Sequence, residues 1–183
     1  MATIGDLLTF ISRLELLRDP ALSHHSHNVS DMAVRFARSA LGSNLDFERL
    51  KLAARLHDVG KLLLPQKLLN RTGKLTMEEF EVIKKHTTLG FDLIAPMKMG
   101  QSVDDTVLYH HENYDGSGYP FGLVGDAIPI EARIIRIVDM YDALISTRPY
   151  RAGYSHQDAA HIMHENQHFF DPVFFTEFWR IQK

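Results

Sequence analysis

The chain has 183 residues, of which 45% are hydrophobic and 23% charged, the ordinary mix of a globular domain with a sizeable core. Its formal net charge of -3 does not suit a protein that holds long nucleic acid, which normally carries a basic stripe. Cysteine is absent, which excludes disulfides and thiolate metal sites, so any metal must bind to His, Asp or Glu.

Apolar residues at helical spacing predict an amphipathic helix over residues 3–18, which ends at Asp19-Pro20 because proline cannot continue a helix. We expect this helix to pack on the rest of the chain or to dimerise. The chain is therefore divided into an N-terminal helix, residues 1–20, packed on one domain, residues 21–183.

The rest of the chain also has helical periodicity, and strand-type alternation is nearly absent. The predicted helices run from a Ser23 N-cap to near Gly42, from Leu50 to Lys61, from a Thr76–Glu79 capping box to Ile94, over 103–111, and over Ile130–Ile145, His156–Gln167 and Pro172–Trp179. These helices predict an all-α bundle.

One loop interrupts the helices. The segment from Glu112 to Pro129 contains four Gly and two Pro and is too long for a simple connector. Long structured loops in compact domains tend to be functional, and this one has room for a small hairpin. We expect a helical bundle with a Gly/Pro-rich active-site loop.

No stretch approaches the roughly 18 uncharged apolar residues of a membrane span. The first ten residues also lack the basic flank of a signal peptide. These features predict a cytoplasmic protein without membrane contact.

The chain has eleven His, and several of them stand beside Asp or another His in apolar surroundings. These positions are His57-Asp58, His86, His110-His111 and Asp139, each on a different predicted helix. Helical bundles build metal sites from inward side chains of facing helices, and imidazole with carboxylate suits Fe, Mn, Zn or Ni. A lone His in a helix is more often packed or solvated, and spacing alone does not show convergence.

The residues around these positions form a series of short motifs. They are His57-Asp58-Val59-Gly60-Lys61, His110-His111-Glu112, Asp115-Gly116-Ser117-Gly118-Tyr119-Pro120, Ala132-Arg133-Ile134, Asp139 with Tyr141-Asp142-Ala143, Arg148-Pro149-Tyr150-Arg151 and Phe170-Asp171-Pro172. In this order the chain resembles the HD-GYP domain family, a branch of the HD superfamily of metal-dependent phosphohydrolases. The match runs from about His25 to Pro172.

The resemblance implies an all-helical fold of the HD-domain type, a cluster of two or three metals, often iron or manganese, and hydrolysis of the bacterial signalling molecule cyclic di-GMP. Some members prefer a mixed cyclic dinucleotide instead. The family's metal ligands fall on His25, His57, Asp58, His86, His110, His111 and Asp139.

The resemblance also assigns catalytic and substrate-binding positions. Asp58 and Lys61 are the expected catalytic residues, with Lys61 polarising the attacked phosphate. Tyr119 and Gly118 belong to the substrate loop, where the tyrosine ring stacks on a guanine or its hydroxyl binds a phosphate. Arg148 and Arg151 are expected to hold ligand phosphate, for which guanidinium geometry is well suited; without the family they would pass for a solvated basic turn.

Two departures from the family pattern affect the metal site. His24, His25 and His27 all stand where the family has one His, and His25 is chosen by its distance from Val29. Three-metal members carry a Glu one turn before that ligand, where this chain has Ala21. We therefore expect two divalent ions, Fe or Mn, and release mainly of the linear dinucleotide pGpG.

Two other functions remain open. One is an HD-type phosphohydrolase acting on another nucleotide, against which the intact Gly-Tyr-Pro loop argues. The other is a non-catalytic module that binds cyclic dinucleotide, which metal content would distinguish. Expected partners are the cyclic dinucleotide itself and either a second copy of the chain or a fused regulatory domain.

Overall fold

A computed structural model describes residues 3–42, 45–71, 73–147 and 152–182. Its α-helices are α1 Ile4–Arg18, α2 Pro20–Leu41, α3 Phe47–Leu56, α4 Gln66–Leu69, α5 Met77–Lys84, α6 His86–Ile94, α7 Gln101–Tyr109, α8 Ile130–Ile145, α9 His156–Glu165 and α10 Pro172–Ile181. Within these residues the only strand-like pairing is an isolated bridge between Asp115 and Val124, inside the Gly/Pro-rich loop. The all-α prediction is confirmed.

The start of α2 differs from the prediction. Asp19, rather than Ser23, is its N-cap, and the Asp19 carboxylate accepts hydrogen bonds from the amides of Ala21 and Leu22 at 3.0 and 3.4 Å. Pro20 follows in the first turn, where its missing N–H is not needed. Ser23 is buried inside the helix, so the same Asp-Pro pair ends α1 and starts α2.

Two other predicted helices are shorter than expected. The helix predicted from Leu50 to Lys61 ends at Leu56, and the last part of that segment lies in a 3-10 helix, Val59–Leu63. The capping box of Thr76 and Glu79 is confirmed, but the helix it opens stops at Lys84 and a new one starts at His86. The remaining helices agree with the prediction to within a few residues.

The hydrophobic core lies between α2, α3 and α8, with α10 closing one side. Phe36 on α2 meets the rings of Phe174 and Phe178 edge-on. Burial of apolar surface at about 25 cal/mol per Å² makes such residues the main source of stability. None of the described helices combines the length and apolar character needed to cross a bilayer.

A close backbone crossing brings the His57-Asp58 segment beside α6. A Cβ added at Gly60 would lie 1.9 Å from the carbonyl oxygen of His86 and 2.6 Å from the amide nitrogen of Gly90. Only glycine fits here. The contact places Asp58 within reach of the His86 side chain.

Candidate metal centre

Three imidazoles in the centre are oriented in the same way. The Nδ1 atoms of His57, His86 and His110 each lie 2.7 to 2.9 Å from the backbone carbonyl three residues earlier. Donation of Nδ1–H to a carbonyl fixes the tautomer and leaves the Nε2 lone pair facing inward. Local helix geometry therefore presents these nitrogens as ligand atoms.

His25, on α2, is oriented by a carboxylate instead. Its Nδ1 lies 2.6 Å from Asp142 Oδ2, and Asn28 donates to the other oxygen of Asp142 at 3.1 Å. Its Nε2 lies 2.9 Å from Asp139 Oδ1. His24 and His27 are exposed, so among the three candidates the structure brings His25 into the cluster.

Asp58 lies at the middle of the cluster and is only 1% exposed. Its Oδ1 is 3.3 Å from His86 Nε2 and 3.7 Å from His110 Nε2. Its Oδ2 is 3.4 Å from His57 Nε2 and 3.7 Å from His25 Nε2. Each carboxylate oxygen thus faces a different pair of imidazoles.

The ligand atoms form two groups that share one carboxylate. The groups are Asp58 with His86, His110 and His111, and Asp58 with His25 and His57, with ligand atoms inside each group within 4.8 Å of one another. Asp139 adjoins the second group through His25. The structure thus brings together all seven residues that the sequence singled out as ligands.

Several buried atoms in these groups suit a cation. His57 Nε2 and Asp58 Oδ1 have no hydrogen-bond partner in the described part of the chain, and a buried polar atom left so is costly. The Nε2 atoms of His86 and His110 face each other at 3.2 Å, although both rings can donate from Nδ1. A divalent cation would satisfy these lone pairs, so the residues fit a metal.

The electrostatics of the cluster follow from burial and from its two carboxylates. Burial alone would raise the pKa of Asp58, but the charges of Lys61 and His57 outweigh it and hold that pKa well below its usual range. Burial lowers the pKa of His86 to about 3. Burial also opposes a charge on His57, but Asp58 and Asp139 raise its pKa to about 10.

A cleft of about 570 Å³ opens onto the His25 side of the cluster. Its walls include Ala21, Asp58, Lys61 and Thr147. The Lys61 ammonium lies 2.5 Å from Asp58 Oδ2 and its side chain is 24% exposed, so it places a positive charge at the cleft. The volume is within the range of small-molecule sites.

The Gly/Pro-rich loop folds over the other side of the cluster. The buried Glu112 carboxylate accepts hydrogen bonds from the amides of Phe121 and Leu123 at 2.8 and 3.0 Å. A Cβ at Gly118 would lie 2.2 Å from the amide nitrogen of Asn113, so this glycine packs directly on the start of the loop. Glu112 and Gly118 therefore fix the loop's path.

Tyr119 lies against His111, one of the candidate ligands. Its ring stacks on His111 with centroids 4.8 Å apart and an interplanar angle of 29°, and its amide donates to the His111 carbonyl at 3.2 Å. Phe80 meets the ring edge-on, and the Lys84 ammonium lies 5.6 Å from its centroid. The sequence prediction for Tyr119 was a ring that stacks on a guanine or a hydroxyl that binds a phosphate; in the structure the ring contacts the His111 imidazole.

Arg148 and Arg151, the predicted phosphate-holding residues, lie outside the described residues.

The sequence prediction missed two buried acids. Asp142 follows Asp139 by three residues, which places both on one face of α8, a spacing visible in the sequence. Glu15 follows the buried Ile11 by four residues on α1, so helical spacing in the sequence also indicated that Glu15 faces inward.

A family model described as an HD domain matches residues 10–173 of the chain. Among curated proteins, the cyclic di-GMP phosphodiesterase response regulator RpfG of Xanthomonas campestris is 37% identical over 173 residues, covering 91% of this chain and 45% of that protein. A 3'3'-cGAMP-specific phosphodiesterase 1 of Vibrio cholerae is 40% identical over 141 residues, covering 76% of this chain and 32% of that protein. The chain thus spans less than half the length of these relatives.

Solved structures share the fold. Bd1817, described as an HDG"Y"P protein from Bdellovibrio bacteriovorus, superposes with a TM-score of 0.73 at 24% identity, covering 98% of this chain and 61% of that one. A cyclic GMP-AMP specific phosphodiesterase of Vibrio cholerae gives a TM-score of 0.68 at 15% identity, covering 95% and 48%. At these identities the likeness concerns the fold alone.

Proposed function

This chain belongs to the HD domain family, in its HD-GYP branch, and we propose that it is a metal-dependent phosphodiesterase that hydrolyses a cyclic dinucleotide, cyclic di-GMP in particular. The observation that carries this proposal is the buried Asp58 carboxylate, whose two oxygens face two imidazole groups beside an open cleft. The names of the similar phosphodiesterases support the same substrate class.

Two cations, Fe or Mn, are part of the proposal. His86, His110 and His111 would hold one, His25 and His57 with Asp139 the other, and Asp58 both. When bound, such a pair supplies a nucleophilic water at neutral pH and neutralises charge that develops on the phosphoryl oxygens. Ala21 lines the cleft with a methyl group that cannot coordinate, which supports two ions rather than three and a linear pGpG product.

The remaining residues act on substrate position and charge. Lys61, held by Asp58 at the cleft, adds positive charge beside the attacked phosphate. Arg148 and Arg151 would hold the phosphates of the ligand. With its ring packed on His111, Tyr119 would offer the substrate its hydroxyl.

We also propose the division into an N-terminal helix, residues 1–20, and a catalytic domain, residues 21–183. Arg18 donates to the Leu64 carbonyl at 2.6 Å, which ties the helix to the domain. Phe10 and Leu17 are 58% and 84% exposed, which supports a role for the helix in pairing with a second copy or with a regulatory domain.

The test is an elemental analysis of protein purified without added metal, paired with chromatography of its products from cyclic di-GMP and from 3'3'-cGAMP. We expect about two equivalents of Fe or Mn and accumulation of pGpG. Turnover of the mixed dinucleotide alone would move the proposal to that substrate. Bound metal with turnover of neither would favour another nucleotide, and ligand binding without metal or turnover would favour a sensor module.

A further inference from the structure

Arg136, which has no role in the proposed chemistry, lies on α8 three residues before Asp139. Its Nε–H donates to Asn113 Oδ1 at 2.9 Å. Its guanidinium carbon lies 5.7 and 5.6 Å from the ring centroids of Phe169 and Phe170. Two rings and one hydrogen bond therefore fix the guanidinium plane.

Asn113 carries this contact into the Gly/Pro-rich loop. It is 8% exposed and follows His110, His111 and Glu112 directly in the chain. Its Nδ2 donates to Ser117 Oγ at 3.0 Å, and Ser117 Oγ–H donates to Asp115 Oδ1 at 2.6 Å. Both ends of its side-chain amide are thus used, one by the helix and one by the loop.

The position of Asn113 sets the position of Tyr119. Gly118 packs so closely on the Asn113 amide that no Cβ fits between them. A shift of Asn113 therefore displaces Gly118 and, with it, the Tyr119 ring that stacks on His111. The contacts form one continuous path from Arg136 through Asn113 and the loop to His111.

We infer that Arg136 is a positioning residue, which through Asn113 holds the loop so that Tyr119 fixes the His111 imidazole for a divalent cation. This inference rests on the proposed metal-dependent function. Groups that orient metal ligands from outside the ligand set typically change metal affinity by about 10- to 100-fold.

The chemistry of the contact requires arginine. A lysine ammonium is not planar and cannot lie against both rings while it donates sideways to an amide oxygen. Arg136→Lys keeps the charge but loses this geometry. If net charge near the centre were all that mattered, this variant would behave like the parent protein.

The experiment measures the dissociation constant of Mn²⁺ by equilibrium titration of the full chain, without substrate, for the parent, Arg136→Met, Arg136→Lys, Asn113→Ala and the double variant Arg136→Met/Asn113→Ala. We expect each single variant to bind Mn²⁺ about 10- to 100-fold more weakly. Because both residues act through one path, their effects should not add. The Mn²⁺ dissociation constant of the double variant should stay within about twofold of that of the more affected single variant.

Arg133→Met is the matched control. Arg133 lies on the same helix, but its guanidinium bonds Asp126 and Asp171 rather than the start of the loop. This variant should lower Tm and leave the Mn²⁺ dissociation constant within about twofold of the parent. If Arg136→Met fails to fold, Arg136→Lys and Asn113→Ala carry the same test.

Parental Mn²⁺ affinity in Arg136→Lys and Asn113→Ala, or additive losses in the double variant, would overturn the inference. Its failure is distinguishable from failure of the proposed function because the titration needs no substrate. If Mn²⁺ binding depends on Arg136 but the parent protein cleaves no cyclic dinucleotide, the positioning inference holds and the proposed substrate is wrong. If the parent cleaves the substrate but the Arg136 variants bind Mn²⁺ as tightly as the parent, the proposed function holds and the positioning inference is wrong.

Discussion

Two regions of the chain bury charged side chains without complete hydrogen bonding, and they differ in how the unpaired atoms are arranged. In the Asp58 cluster, the unpaired His57 Nε2 and Asp58 Oδ1 lie among imidazole nitrogens and carboxylate oxygens that come from several helices. Between α1 and α3, Glu15 is fully buried and its Oε2 lies 3.8 Å from Arg55 Nη2, while neither Glu15 oxygen has a hydrogen-bond partner in the described part of the chain. An orphaned buried atom is therefore not by itself a sign of a ligand site. The informative feature is the convergence of imidazole nitrogens and carboxylate oxygens around such an atom.

The two regions also differ in how they relieve their charge. Asp58 stays ionised because Lys61 and His57 stabilise its negative charge against burial, so a cation has a partner there. Burial raises the pKa of Glu15 to about 7, and Arg55 opposes this only in part. The first region is suited to binding a metal, whereas the second can relieve its charge by taking up a proton.

The largest expected effect is that of Asp58→Asn. An amide cannot face two cations as a carboxylate does, so we expect loss of bound metal and a fall in kcat/KM of at least about 10³-fold. Elemental analysis and initial rates measure both. Glu15→Gln is the control from the other region, and its metal content should match the parent. Equal metal loss in both variants would erase the distinction between the two regions.

Arg55→Met tests the second region by leaving Glu15 buried without its cation. Removal of one partner of a buried pair typically costs about 3 kcal/mol or more, and we expect about 3 kcal/mol from urea unfolding at pH 8. The control is Glu15→Met/Arg55→Met, which replaces both charges by apolar groups and should unfold within about 1 kcal/mol of the parent. A double variant less stable than Arg55→Met would show that the pair is stabilising.

Asp142→Asn sharpens the boundary of the first region. Asp142 is not one of the expected metal ligands, but it accepts the Nδ1–H of His25, so loss of its charge should weaken divalent metal binding by about 10- to 100-fold. Metal titration measures the effect. Asp126→Asn is the control, since the Asp126 side chain is 83% exposed and bonds Arg133 and Tyr114 rather than His25. Unchanged affinity in Asp142→Asn would restrict the centre to its direct ligands.

Sequence patterns predicted the regular helices and most of the cluster, and the reasons for the misses are physical. The capping box at Thr76 and the helix Ile130–Ile145 follow from local chemistry and periodicity, which a sequence displays. The break at Lys85 lies beside the crossing of Gly60 over α6, a contact between distant segments that local patterns do not display. Convergence of side chains from several helices is equally invisible without the fold.

The same contrast holds for single residues. The distance from Val29 selects His25 over His24 and His27, and the structure supports that choice because His25 is buried and the other two are exposed. The path from Arg136 to His111 could not be predicted, because Asn113 and Gly118 meet through the shape of a loop and not through any periodicity.

The smallest expected effect is a change in the pH dependence of stability in Glu15→Gln, measured on metal-free protein. The ordinary pKa of a glutamate carboxyl is 4.5, and burial raises that of Glu15 to about 7 in the folded chain. Below pH 4.5 both folded and unfolded states hold the proton, so the group has no effect on the free energy of unfolding. As pH rises from about 4.5 to 7, the unfolded state releases the proton first, and the folded state loses stability.

Glutamine cannot ionise, so this loss should be absent from Glu15→Gln. Relative to the parent, the variant should gain about 1 to 3 kcal/mol of unfolding free energy between about pH 4.5 and pH 7.5, since one pKa unit corresponds to about 1.4 kcal/mol. Urea unfolding at several pH values in the presence of a chelator measures this difference. A difference that stays constant with pH would mean that Arg55 keeps Glu15 ionised throughout, and the second region would then hold a true ion pair like the charges around Asp58.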